Sequence, residues 1–137
     1  MMMTMMMMII LIYAFISPDF QVRLIGTTLP FAGAIEVSYY GVWGGIWGHS
    51  IDVRVGHVIC RQLGYSGAQQ VFRESVFGDM KSPFLVKEIR CNGNESAISQ
   101  CTILTIDEVG FWDYFDPEYG AAVLCVEYQA DISKGGY

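Results

Sequence analysis

One stretch of this chain reads as helix, and it is too short to stand alone. Residues 53–64, V-R-V-G-H-V-I-C-R-Q-L-G, place Val55, Val58, Ile59 and Leu63 at helical spacing on one side. Ser50 and Asp52 lie just upstream and are good N-cap residues, and Gly64 sits where a left-handed C-cap would end the helix. A helix of about three turns is marginal in water, so it must dock against other elements. Cys60, in the last turns and near the apolar side, offers a staple.

Four cysteines, Cys60, Cys91, Cys101 and Cys125, form an even set, and four allow three pairings among which sequence alone does not choose. The C-x9-C spacing of Cys91 and Cys101 suits a disulfide closing a small loop. Free thiols in a cytosolic core and a zinc site are the other readings, but no C-x2-C pair is present and the spacings are wide. Of 137 residues, 53% are hydrophobic and 15 are glycine, which describes a globular, turn-rich chain with room for one domain. A net charge of −6 with only eight basic residues argues against nucleic acid and against anionic membrane surfaces. Residues 1–17 are apolar apart from a few positions, too short for a comfortable span, and read as a signal peptide or short hydrophobic leader. With the cysteines, this points to a secreted protein or the extracellular face of the membrane, with membrane contact only through an uncleaved leader.

Along the folded part, residues 22–26 read as a first short strand. Residues 35–39 alternate apolar and polar, Tyr40, Gly41 and Val42 make a turn, and Trp43 to Trp47 return as a hairpin. Trp43 is expected in the core, covering the helix. Residues 65–73 look polar and turn-rich, 86–91 read as a strand, and 102–119 are the least regular stretch. Residues 121–126 close as a buried strand, and 128–137 form a polar tail.

The run Cys60-Arg61-Gln62-Leu63-Gly64 resembles the signature of scavenger receptor cysteine-rich (SRCR) domains. So do Val22-Arg23-Leu24, Ile35-Glu36-Val37, Trp43-Gly44, and the segment holding Cys91, Gly93, Asn94, Glu95, Ser96, Gln100 and Cys101. The resemblance covers residues 22–127 and implies an α+β fold, a curved antiparallel β-sheet cradling one main α-helix. It also implies the pairings Cys60–Cys125 and Cys91–Cys101. Members of that family carry three or four bridges, and two are missing here: one falls at Trp47 with Phe115, the optional fourth at Phe31 with Tyr65, so large aromatics replace both pairs. Trp47 and Phe115 are expected to touch.

Many SRCR domains hold a divalent cation through an acidic pair and a glutamate. Here those positions are Gly48, His49 and Tyr119, leaving only Asp52 and Glu88 where acids are common. Hard cations need several oxygen ligands, so no family-type metal site and no cofactor are expected.

Asn94-Glu95-Ser96 is an N-x-S sequon in a predicted loop. The acids and aromatics Asp107, Glu108, Trp112, Asp113 and Tyr114 form the candidate contact surface, because aromatic anchors in a polar rim are what recognition surfaces use. His49 and His57 have no spacing to Asp52 that suggests catalysis, and no catalytic residue is assigned. The resemblance implies a non-catalytic extracellular module recognising a protein or glycan ligand, with the acidic balance disfavouring polyanions. It also admits an accessory domain of a larger secreted or membrane protein, such as a protease or amine oxidase, or a relaxed copy without ligand.

Overall fold

The computed structural model describes residues 20–106 and 116–127. Its strands are β1 (Gln21–Ile25), β2 (Ala32–Tyr39), β3 (Val42–Ile46), β4 (Ala68–Phe72), β5 (Phe84–Arg90), β6 (Thr102–Thr105) and β7 (Ala122–Cys125). The helix α1 (Val53–Gln62) lies between β3 and β4, and short 3-10 turns occupy Gly48–Ser50, Ile98–Gln100 and Pro117–Tyr119.

The hairpin forms where expected. Tyr40 and Gly41 both have positive φ, 52° and 80°, the geometry of a two-residue type I′ turn whose twist matches its strands. β2 then organises the sheet by pairing antiparallel with β1, β3 and β7. The strand order is β4-β7-β2-β3-β5-β6, with β1 added on β2. The sheet is antiparallel except at β3 and β5, which run parallel. A parallel pair needs a crossover connection, and the chain between these strands carries α1 and β4.

α1 forms for the local reasons its sequence carries. The Asp52 side chain accepts from the Val55 N–H at 3.1 Å, capping the first turn. At the other end Gly64 has φ +98°, its N–H donates to the Arg61 carbonyl, and the Tyr65 N–H donates to that of Cys60. This is the paired bonding of a Schellman cap. Val55, Val58, Ile59 and Cys60 are fully buried and meet Ile35, Val37, Ile46, Val86, Ile89 and Val123 from the sheet. Gly56 is needed for that approach, since a Cβ there would lie 2.4 Å from Val71 Cγ1 and 3.1 Å from Ala68 Cβ.

Two disulfides staple this core, Cys60–Cys125 between α1 and β7 and Cys91–Cys101 across the loop after β5. No helix among the described residues is long and apolar enough to cross a membrane.

Three features differ from the sequence reading. β4 and β6 are strands within stretches read as irregular: Ala-Gln-Gln-Val-Phe and Thr-Ile-Leu-Thr are short edge strands whose pairing partners decide them. His57 helps hold β4, its Nδ1 accepting the Ala68 N–H at 3.0 Å. Trp43 does not cover the helix. It pairs opposite Ser38, on the same sheet face as Glu36, where the Arg23 guanidinium lies 4.0 Å from its ring centre. Arg23 also bonds the buried Glu36 carboxylate at 2.8 Å, and Ser82 supplies its second donor. A buried carboxylate needs such partners.

The bridges should contribute unequally. Loop-entropy reasoning over separations of 65 and 10 residues gives about 4 and about 3 kcal/mol respectively. Urea unfolding of Cys60→Ala/Cys125→Ala against Cys91→Ala/Cys101→Ala is expected to show the larger loss in the first double variant.

Candidate functional site

A cleft of about 580 Å³ opens between the 3-10 turn at Gly48–Ser50, the start of α1 and the outer face of β5. Its lining includes Trp47, His49, Ser50, Asp52, Arg54 and Arg73, together with Lys87, Glu88 and Arg90 from β5. Alternation along β5 explains the last group. Val86 and Ile89 are fully buried, whereas Lys87 and Arg90 are exposed. A bulge between Val86 and Glu88 shifts the register where these side chains emerge.

Among the described residues, the lining of this cleft holds more basic than acidic side chains. Arg54, Arg73, Lys87 and Arg90 are four of the eight basic residues, they are scattered in sequence, and all are exposed around one opening. Among the described residues of the lining, the carboxylates are those of Asp52 and Glu88. Asp52 pairs with Arg54 at 2.8 Å, and Glu88 accepts from Arg90 Nε at 2.7 Å. Arg73 makes no ion pair among the described residues. The buried Ser50 hydroxyl, in a residue that lines the cleft, has no hydrogen-bond partner among the described residues.

Partial burial acts to raise the Asp52 pKa. The hydrogen bonds from Arg54 and the Val55 N–H, with the Arg54 charge, outweigh it and hold the carboxyl below its ordinary value.

Two lining residues, Trp47 and His49, belong to an aromatic cluster. The Trp47 ring centre lies 5.0 Å from His49, 5.5 Å from Phe84 and 5.9 Å from Tyr119, and His49 and Tyr119 are 5.6 Å apart. His49 and Tyr119, the positions that the resemblance aligns with cation ligands, lie side by side as an imidazole and a phenol. Gly48 cannot carry an acid in this backbone: a Cβ would sit 2.0 Å from the Arg73 carbonyl oxygen and 2.6 Å from that of Tyr119. Among the described residues, the one cluster of three metal-type side chains is Cys91, Glu95 and Cys101, and both sulfurs are joined in the disulfide.

Phe115, expected against Trp47, lies outside the described residues, as do Asp107, Glu108, Trp112, Asp113 and Tyr114. The chain is described again from Asp116, whose side chain caps the turn that delivers Tyr119 to Trp47 and His49. Phe31 and Tyr65, at the other lost bridge, are partly buried against the main core. The cleft itself was not legible in the sequence, where the basic residues form no run.

Two substitutions test this geometry. Gly48→Ala is expected to destabilise the fold by about 1–3 kcal/mol, because backbone atoms block the added methyl; thermal unfolding measures it. Asp52→Ala should cost about 1 kcal/mol near neutral pH through loss of the cap. The folded-state pKa of Asp52 is lowered, so its contribution is full above the unfolded value of 3.8 and disappears as pH falls through the folded value. The gap between wild type and variant in urea titrations should close over that acidic range.

A model of the scavenger receptor cysteine-rich domain matches residues 25–126. The macrophage scavenger receptor types I and II of Bos taurus is 39% identical over 82 residues, covering 60% of this chain and 18% of that protein. The galectin-3-binding protein of Rattus norvegicus is 35% identical over 86 residues, covering 63% of this chain and 15% of that protein. The chain thus spans less than a fifth of these curated relatives. Among solved structures, the third SRCR domain of murine neurotrypsin superposes with a TM-score of 0.67 at 31% identity, covering 81% of this chain and 99% of that one. The dimeric form of the SRCR domain of mouse MARCO gives 0.57 at 25% identity, over 69% of this chain and 86% of that one. By family match and by fold alike, the chain belongs to the scavenger receptor cysteine-rich domain family.

Proposed function

We propose that this domain is a non-catalytic, extracellular ligand-binding module that takes an anionic ligand, a sulfated glycan being the best-fitting class, in the cleft between α1 and β5. The observation that carries the reading is the convergence of Arg54, Arg73, Lys87 and Arg90 on one opening. Net charge governs long-range encounter, but a bound anion responds most to the nearest groups, and the described lining carries Arg54, Arg73, Lys87 and Arg90 beside the carboxylates of Asp52 and Glu88. The Trp47 and His49 rings, both in the lining, add surface against which a sugar face can lie. This modifies the expectation from overall charge, which disfavoured polyanions.

The residues that would suggest chemistry are otherwise engaged. Asp52 caps α1 and pairs with Arg54, and His57 Nδ1 accepts the Ala68 N–H. The acidic and aromatic side chains Asp107, Glu108, Trp112, Asp113 and Tyr114 are the second contact surface in this reading.

A second reading, that the domain is one module of a longer secreted or membrane protein, is favoured by its 15–18% share of the relatives' length. Coding sequence contiguous with either end would establish it.

Binding of a fluorescent heparin oligosaccharide without added calcium tests the main reading. Affinity is expected to fall with salt, and neutral dextran should not compete. Arg73→Ala should weaken binding by about two- to fivefold, the worth of one exposed charge contact. Equal competition by dextran, or unchanged affinity in Arg73→Ala combined with Lys87→Ala, would remove the cleft from the function.

A further inference from the structure

The loop that borders the cleft carries a feature the ligand-binding reading does not use. Asn94-Glu95-Ser96 is a sequon for N-glycosylation, and Asn94 is exposed, with no side-chain hydrogen bond among the described residues. Around it the backbone is tightly held. The Glu95 carboxylate accepts from the N–H groups of Asn92 and Gly93, each at 2.9 Å, and those bonds keep its pKa low. Arg61 reaches across from α1 to the carbonyls of Gly93 and Glu95. Ser96 bonds the Gln100 side chain through both its N–H and its hydroxyl, and the Cys91–Cys101 disulfide closes the loop. A group attached at Asn94 would therefore be rooted on a fixed platform.

That platform abuts the cleft. A Cβ on Gly93 would lie 3.4 Å from both Cβ and Cγ of Arg54, a cleft residue, and Arg90, another, is followed directly by Cys91.

We propose that Asn94 is N-glycosylated and that its glycan stands at the rim of the basic cleft, restricting the entry of long anionic ligands. In the transfer, Asn94 Nδ2 forms a bond to C1 of the first sugar of a lipid-diphosphate-linked oligosaccharide. The C1–O bond breaks, its electrons leave with the lipid diphosphate, and Nδ2 gives up one proton. The sugar is added to the extended chain before folding, and the exposed Asn94 lets the finished loop accommodate it. The effect on entry rests on the cleft being the ligand site; the modification does not.

The experiment uses the full chain made in human secretory cells, recovered from medium and lysate together. Intact mass before and after peptide N-glycosidase treatment is expected to show a glycan whose removal leaves aspartate in place of Asn94. Both Asn94→Gln and Ser96→Ala should lack it. Unmodified Asn94 throughout overturns the proposal. On a heparin column, Asn94→Gln is expected to elute at higher salt than the glycosylated wild type, with a sulfated disaccharide bound equally by both. Equal elution of two binding proteins overturns the rim effect while leaving the modification. Failure of both forms to bind heparin overturns the ligand reading and the rim effect together, and the mass data then decide the modification by themselves.

Discussion

The C-terminal end of α1 is the point on which the rest of the domain depends. Each of five consecutive residues there has a distinct structural role. Cys60 bonds Cys125 at the last strand, and Arg61 holds the carbonyls of Gly93 and Glu95. The Gln62 amide donates to the Phe20 carbonyl and its oxygen accepts the Ile98 N–H, both at 2.9 Å, so one side chain ties the start of β1 to the turn before β6. Leu63 packs on the core, and Gly64 takes the left-handed conformation that ends the helix. A ten-residue helix with little intrinsic stability is thereby fixed from several directions, and in turn fixes them.

That anchoring has a consequence for the opposite end. The N-terminus of α1 is held by the Asp52 cap, and the backbone before it, through Gly48, is wedged between the carbonyls of Arg73 and Tyr119. The same close approach that excludes a side chain at Gly48 holds Arg73 beside the cleft. Trp47, at a position the resemblance assigns to a cysteine, packs on Phe84, His49 and Tyr119. Aromatic packing holds elements together through buried area and ring geometry rather than a covalent constraint on the unfolded chain. It also leaves ring faces at the site.

Much of the fold was legible because its signals are local. The capping residues, the spacing of Val55, Val58 and Ile59, and the Tyr40–Gly41 turn each act within a few residues of themselves. β4 and β6 were not legible. Ala68–Phe72 has two glutamines at its centre and gains strand character only from pairing with β7, while Thr102–Thr105 is a four-residue edge on β5. Trp43 was misplaced because alternation gives two faces and does not say which one meets the helix; the cation stack under Arg23 and the buried Glu36 belong to the far face.

The sequence by itself determined the helix and its caps, the first hairpin, and, through its resemblance, the family. These depend on backbone preferences and short spacings that survive in any context. Only the tertiary structure decided where charge accumulates. Arg54, Arg73, Lys87 and Arg90 come from a helix, a loop and a strand, and they meet because a parallel β3–β5 pair and a bulge in β5 bring those elements to one side. Electrostatic potential follows distance in space, not in sequence, so a chain of net charge −6 can present a basic cleft.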